Sequence, residues 1–284
     1  RAAVALSRCP QGQSAILLEL PSLSPNERQI LAERHVISRD LAHHGRGSGL
    51  ALIDSERLSL MINEEDHLRL QSLAPGLSLW ERWREIDQLD NSLGDGLEYA
   101  FDPRFGYLTA CPTNVGTGMR ASVMLWLPGL ALTDGLKPVL RAMSVMNLTV
   151  RGLFGEGTEA VGDFFQLSNQ VTLGPAEDQI VSNFTDMVVP KIVEYETLAR
   201  EKLLKTHPDK LDDKIQRALA LLRSARLISS QEALFLLSHV RMGVHLRRIE
   251  GVSVATLNEL FMLTQPAHLQ ARQGKPLDPD HRDA

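Results

Sequence analysis

Leu58, Leu60 and Ile62 form an alternating apolar run that leads straight into Asn63-Glu64-Glu65-Asp66-His67-Leu68-Arg69. Period-two spacing of apolar residues predicts a buried strand. The fold must therefore hold three acids, a histidine and an arginine together at the end of a rigid element. Clustered carboxylates repel one another unless a cation, a metal or a cationic substrate neutralises them. Such a run is often no more than a solvated turn. A strand end is also where an enzyme can fix charged groups and still leave them accessible. Both readings stay open on this stretch alone.

The 284 residues, 43% of them hydrophobic, can bury a sizeable core, and one large domain with a small one is expected. A net charge of −5 argues against non-specific nucleic-acid binding as the main role. Arginine supplies 23 of the 30 basic residues, so most positive charge comes as planar forks suited to phosphate or carboxylate. A GC-rich genome would produce the same excess. Cys9 and Cys111 make neither a disulfide framework nor a CxxC metal pair, and His43-His44 lacks a third ligand at convincing spacing. No metal site is expected from a side-chain cluster. No apolar run reaches membrane-spanning length and the N-terminus does not read as a signal peptide, so a soluble cytoplasmic protein without membrane contact is expected.

Along the chain, strands are predicted over residues 15–20, 50–54, 58–62 and 147–151, and over 163–173 with Val171, Thr172 and Leu173 at its end. Residues 43–49 read as a loop rich in histidine and glycine. Residues 121–127 fit a strand or the start of a helix. Leu79, Trp83, Ile86, Leu89 and Leu93 fall on one helical face that Gly94-Asp95-Gly96 ends. Further helices are predicted over 27–33, 136–146 and 176–205, the last kinked at Pro190. From Lys214 onward the pattern is wholly helical. Ser229-Ser230-Gln231-Glu232 has the form of a capping box for a helix running to Arg248, and another helix covers 254–264 before a break at Pro266. A domain boundary is placed near residue 206.

Two more stretches carry chemistry: Gly106-Tyr107-Leu108-Thr109-Ala110-Cys111-Pro112-Thr113-Asn114-Val115-Gly116-Thr117-Gly118-Met119-Arg120, and Arg151-Gly152-Leu153-Phe154-Gly155-Glu156-Gly157-Thr158-Glu159. With the acidic run they resemble the catalytic domain of the phosphagen (guanidino) kinases, which move phosphate between ATP and a guanidinium nitrogen. The closer likeness is to the bacterial protein-arginine kinase branch, through Gly155-Glu156-Gly157-Thr158-Glu159-Ala160 and the later Gln166-Leu167-Ser168-Asn169-Gln170. The resemblance implies an α+β fold: an antiparallel sheet flanked by helices over residues 1–205, then a small all-helical domain over 206–284.

A guanidinium is a poor nucleophile, because its lone pairs are delocalised and it stays protonated. Carboxylates can hold the fork, orient one nitrogen and accept a proton. By resemblance Glu65 holds the substrate guanidinium and is the base, and Glu156 completes the clamp. Glu64 and Asp66 support that constellation or the magnesium, and Asn114 belongs to the supporting context of the cysteine. Cys111 stands where the family sets a sulfur against the guanidinium; read alone, it could be an apolar filler. Arg69, Arg120 and Arg151 match phosphate-binding arginines, with His35 and Arg46 as nucleotide-adjacent contacts. No GxxxxGK[ST] loop is present, so ATP with Mg²⁺ would be held without a P-loop. Phe154 stands where small-molecule arginine kinases tend to carry a second arginine, which favours a protein substrate. Arg282-Asp283 resembles the start of a phosphoarginine-binding motif.

The family's upstream Ser-x-Arg-x-Arg segment is not found, and the chain opens on Arg1, so an N-terminal part beyond it is expected, without which ATP would bind weakly. The resemblance further implies proteins with exposed arginines as substrates, marked for a Clp ATPase/protease or regulated as repressors, a zinc-binding activator protein, and a homodimer. A small-molecule phosphagen kinase and a non-catalytic phosphoarginine-binding adaptor are the rival readings.

Overall fold

The computed structural model describes residues 1–45, 47–152 and 161–274, the side chain of His44 aside. The chain folds into two compact units, each built from two pieces of sequence. Residues 1–121 and 171–185 form the first; residues 122–170 and 186–284 belong to the second.

The first unit is organised on an antiparallel meander of β1 (Ile16–Glu19), β2 (Gly49–Ile53), β3 (Leu58–Ile62) and β4 (Leu68–Ser72). β2 and β3 are almost wholly buried, as their apolar runs require, and both faces of the sheet are covered. On one side Leu50, Leu52 and Met61 pack with Leu31, Val36, Ile37 and Leu41. These last come from α2 (Pro25–Glu33), α3 (Arg39–His44) and the turn between them. On the other, Ala51, Ile53, Leu58 and Leu60 meet Leu6 of α1 (Ala2–Arg8) and Leu89 and Leu93 of α4 (Leu79–Gly94). A small hairpin, β5 (Phe101–Asp102) with β6 (Gly106–Tyr107), leads to the Cys111 loop. Glu177, at the start of a helix over Glu177–Ser182, accepts a 2.8 Å hydrogen bond from Trp83 Nε1.

The second unit carries a three-stranded antiparallel sheet in the order β7 (Ser122–Trp126), β9 (Phe164–Asn169), β8 (Leu148–Gly152). α5 (Pro128–Leu132) follows β7, and α6 (Leu136–Val145) precedes β8. The helix over Glu177–Ser182 is α7 in chain order, and α8 spans Val189–Thr206. The N-terminus of α5 leaves backbone N–H groups without helical partners. The buried Glu196 carboxylate of α8 accepts those of Gly129 and Leu130 at 2.8 and 2.9 Å, and pairs with Arg200 Nε at 2.6 Å. Trp126 donates to Ser238 Oγ at 2.9 Å, and Ser238 donates on to Asp163 at 2.7 Å. The Arg200 and Arg241 guanidinium groups lie over the same indole at 4.7 and 4.9 Å. The remaining helices are α9 (Pro208–Ser224), α10 (Ser230–His245), α11 (Val254–Leu263) and α12 (Pro266–Gln273). They enclose a core that includes Leu211, Ile215, Leu237, Val240 and Leu257.

The expected α+β class with antiparallel sheets and flanking helices is borne out. Residues 121–127 resolve as strand β7. Several local expectations are corrected. His43 and His44 close α3 rather than lying in a loop, because Ser38 caps that helix by accepting the Leu41 N–H at 3.1 Å. The strand expected to reach Leu173 ends at Asn169, the last residue paired with β8. The helix expected over 176–205 is interrupted by a π-helical segment, Asn183–Val188, that ends two positions before Pro190. Proline lacks the N–H that would continue the α-helical ladder, so the irregular turn falls on its N-terminal side. α9 starts at Pro208 instead of Lys214, and α10 stops at His245 rather than Arg248. Pro266 opens α12 instead of ending helical structure, since the first helical position needs no N–H partner.

Candidate active site

The acidic run is the loop of the β3–β4 hairpin. Asn63 takes a left-handed backbone (φ 56°) and its N–H donates to the His67 carbonyl at 2.9 Å, closing the loop. The Asn63 side chain donates to the Gly47 carbonyl at 2.8 Å. The three acids between these two residues point to three different jobs.

Glu64 is largely enclosed, with 8% of its side chain exposed. Burial pushes its carboxyl up. The Ser38 hydroxyl, the Glu65 N–H and the Arg69 guanidinium together outweigh that and hold it below the ordinary range. The Glu65 N–H lies 2.8 Å from one oxygen and Arg69 Nη1 3.2 Å from the other. One carboxylate thus fixes the backbone of Glu65 and the head of Arg69, and reaches the cap of α3 through Ser38.

Asp66 faces the other way. Its Oδ1 accepts the N–H groups of Ala110 and Cys111 at 2.6 and 3.2 Å, and its Oδ2 accepts the Asn114 amide at 2.8 Å. Both oxygens are thereby committed to the cysteine loop. A carboxylate so engaged is poorly placed to serve as a metal ligand. Among the described residues, no group of three or more His, Cys, Asp or Glu side chains could hold a metal ion.

Glu65, between these two, is exposed, and among the described residues its carboxylate makes no hydrogen bond or ion pair. Its neighbours fix its backbone and leave its charge available. That is the arrangement a cationic ligand would require.

Cys111 is a free, partly exposed thiol, with Sγ 3.0 Å from Thr113 Oγ1. Its loop turns through a 3-10 segment, Pro112–Asn114, and Thr109 Oγ1 donates to the Cys111 carbonyl at 2.6 Å. Further along the loop, Thr172 Oγ1 reaches the carbonyls of Thr113 and Val115 at 3.0 and 2.8 Å, and the Thr172 carbonyl accepts the Thr117 N–H at 3.0 Å.

His35, at φ 58°, ends the turn after α2, and its carbonyl accepts Gln71 Nε2 at 2.6 Å. Burial first, then the nearby Arg39 charge, lowers its pKa, so the ring is neutral at neutral pH. Arg120 is exposed at the end of the cysteine stretch. Arg151 is exposed on β8 of the second unit, in register with Gln166. Arg46, Phe154, Glu156, Arg282 and Asp283 lie outside the described residues. The structure therefore brings together Glu64, Glu65, Asp66 and Arg69 with Cys111 and Asn114 in the first unit. Ser38 and Thr172 were not singled out from sequence. The N-cap pattern before Arg39-Asp40 could have flagged Ser38, whereas nothing local marks Thr172.

Residues 3–199 match the family model described as the ATP:guanido phosphotransferase, C-terminal catalytic domain. The chain belongs to this family. Residues 208–284 match a second model, the Protein-arginine kinase McsB C-terminal domain. A protein-arginine kinase of Moorella thermoacetica is 50% identical over 267 residues, covering 94% of this chain and 76% of that relative. One from Bacillus cereus (strain B4264) is 46% identical, covering 94% and 75%. Among solved structures, a lombricine kinase superposes with a TM-score of 0.58 at 27% identity, covering 71% of this chain and 58% of that one. The duplicated taurocyamine kinase of Schistosoma mansoni, with bound transition state analog components, gives 0.61 at 26%, covering 81% and 33%. The family resemblance drawn from the three motifs is thus borne out. The chain spans less than two thirds of either solved kinase.

Proposed function

We propose that this chain carries the catalytic apparatus of an ATP-dependent protein-arginine kinase, transferring the γ-phosphate of ATP to arginine side chains of proteins. The observation that carries the reading is the paired hydrogen bond from Ala110 and Cys111 to Asp66 Oδ1. It fastens the thiol-bearing loop to the acidic turn next to an uncommitted carboxylate. Family membership supports the chemistry, and the match over residues 208–284 favours a protein substrate over a small guanidine.

In this reading Glu65 pairs with the substrate guanidinium and accepts its proton, with Glu156 as the second arm of the clamp. A carboxylate can do both, since it binds the planar fork and serves as a general base. Cys111 adds electron density against the cationic fork, and Asp66 and Asn114 hold it there. Glu64 keeps Glu65 and Arg69 in place. Arg69, Arg120 and Arg151, with His35 and Arg46 as further nucleotide contacts by family resemblance, would take the phosphates, whose spreading charge is the main electrostatic problem in phosphoryl transfer. Mg²⁺, bound through the phosphates of ATP, would neutralise part of that charge. Arg282-Asp283 would begin a phosphoarginine-binding site in the helical region, set off by a domain boundary near residue 206.

A cytoplasmic location, marking of substrates for a Clp-type protease or control of repressors, a zinc-binding activator and a homodimer complete the proposal. No helix among the described residues is long and apolar enough to cross a membrane.

The test supplies the full-length protein with Mg-ATP and an unfolded, arginine-containing protein, then follows phosphate on the substrate through mild acid. A phosphorus–nitrogen bond is acid-labile and a serine phosphoester is not. Acid-labile label on the protein, lost with Glu65→Ala, is the expected result. Label confined to free arginine or another small guanidine would favour a small-molecule kinase. No label on either would leave a phosphoarginine-binding adaptor.

A further inference from the structure

We propose that Thr172 is a positioning residue for Cys111, holding loop positions that Asp66 does not; this rests on the kinase reading above. The hydroxyl of Thr172 has a single hydrogen, yet it lies 3.0 Å from the Thr113 carbonyl and 2.8 Å from that of Val115. It therefore makes a three-centre bond to two carbonyls that flank Asn114. The Thr172 carbonyl in turn accepts both the N–H and the hydroxyl of Thr117, at 3.0 and 3.2 Å.

One residue thus latches the loop at three successive odd positions, 113, 115 and 117. Asp66 holds 110, 111 and 114 from the acidic turn. Thr172 is itself 8% exposed, so water is a poor substitute for its hydroxyl. The approach is close: a side chain at Gly116, where φ is 113°, would run into the Thr172 carbonyl oxygen.

Packing alone does not account for this pattern. Valine would fill the same space, but the two carbonyls would lose their donor and the 3-10 turn carrying Cys111 could rotate. Placement errors of about 1 Å at a reacting group cost on the order of 100-fold in rate. Thr172 touches neither thiol nor substrate; its effect passes through the loop backbone.

The test compares wild type, Thr172→Val and Thr172→Ser in the full-length protein, with Thr172→Ala as a second hydroxyl-free variant should the valine not fold. Two quantities are read: kcat and KM for protein-arginine phosphorylation, and the pH profile of Cys111 alkylation by iodoacetamide. Alkylation is followed peptide by peptide, so that buried Cys9 serves as an internal control. The hydroxyl-free variant is expected to lose roughly 10- to 100-fold in kcat with KM for ATP unchanged, and to show a displaced alkylation profile. Thr172→Ser is expected to retain both wild-type values. A wild-type alkylation profile or kcat in the hydroxyl-free variant would overturn the proposal, as would equal effects in valine and serine. If the wild type labels no arginine, the kinase reading fails, and the alkylation profiles alone decide whether Thr172 sets the loop.

Discussion

Asp66 and Cys111, 45 positions apart in sequence, are joined by a 3.2 Å hydrogen bond from the cysteine N–H to the aspartate Oδ1. The same oxygen takes the Ala110 N–H, and the other takes the Asn114 amide. Asp66→Asn keeps the shape but replaces one acceptor oxygen with a donor that would face another donor. A lost charge-assisted pairing with an N–H left unsatisfied costs about 1–3 kcal/mol. Thermal denaturation should show that loss, and arginine phosphorylation should fall more steeply than the fraction folded. Activity proportional to folded protein would make Asp66 a purely structural residue.

Glu65 should show the opposite separation. Its side chain is exposed and has no partner among the described residues. Glu65→Gln is expected to change stability by less than about 0.5 kcal/mol, as for surface positions without special contacts. Phosphate transfer should be abolished. Paired urea titrations and single-turnover assays check both halves, and retained transfer would rule out Glu65 as the base.

Gly116→Ala joins a steric cost to a backbone cost. The added methyl would meet the Thr172 carbonyl, and φ of 113° is unfavourable for any residue with a side chain. Strain of this kind costs roughly 1–3 kcal/mol. Chemical denaturation should show at least that loss, and an alanine variant as stable as wild type would mean that the loop relaxes freely.

Glu64 predicts a pH dependence with a definite sign. Its carboxyl lies below the ordinary 4.5 in the folded state, so folding favours the ionised form. The stabilisation is present above the unfolded value and is lost as pH falls through the lower, folded one. The melting-temperature gap between wild type and Glu64→Gln should be full near neutral pH and narrow below about pH 4.5. A gap that is constant or widens in acid would reverse the assignment.

The sequence was most legible where the pattern was local. β2 and β3 stood out because burial on both faces leaves little room for polar residues, and the apolar face of α4 repeats over four turns. β4 is poorly marked in sequence, because Leu68 and Leu70 alternate with Arg69 and Gln71 over only a few residues directly behind a charged run. His43 and His44, which end α3, read as loop because histidine and glycine outweigh the capping serine at 38. Val171, Thr172 and Leu173 have the composition of a strand, but Thr172 spends its hydrogen bonds on the cysteine loop instead of a ladder. The acidic turn and the cysteine loop could each be found by motif. That Asp66 binds one to the other, and that Thr172 latches the second, is tertiary information that no periodicity carries.

The first unit is assembled from residues 1–121 and 171–185, with the opening stretch of the second unit synthesised between them. As the chain leaves the ribosome, the acidic turn and Cys111 emerge well before Thr172. Until then only Asp66 and contacts local to the loop, such as Thr109 to the Cys111 carbonyl and the Tyr107–Gly116 bridge, can organise it, and the Thr113 and Val115 carbonyls lack the Thr172 hydroxyl. The order of synthesis thus places the Thr172 latch after strands β7, β8 and β9 of the other unit.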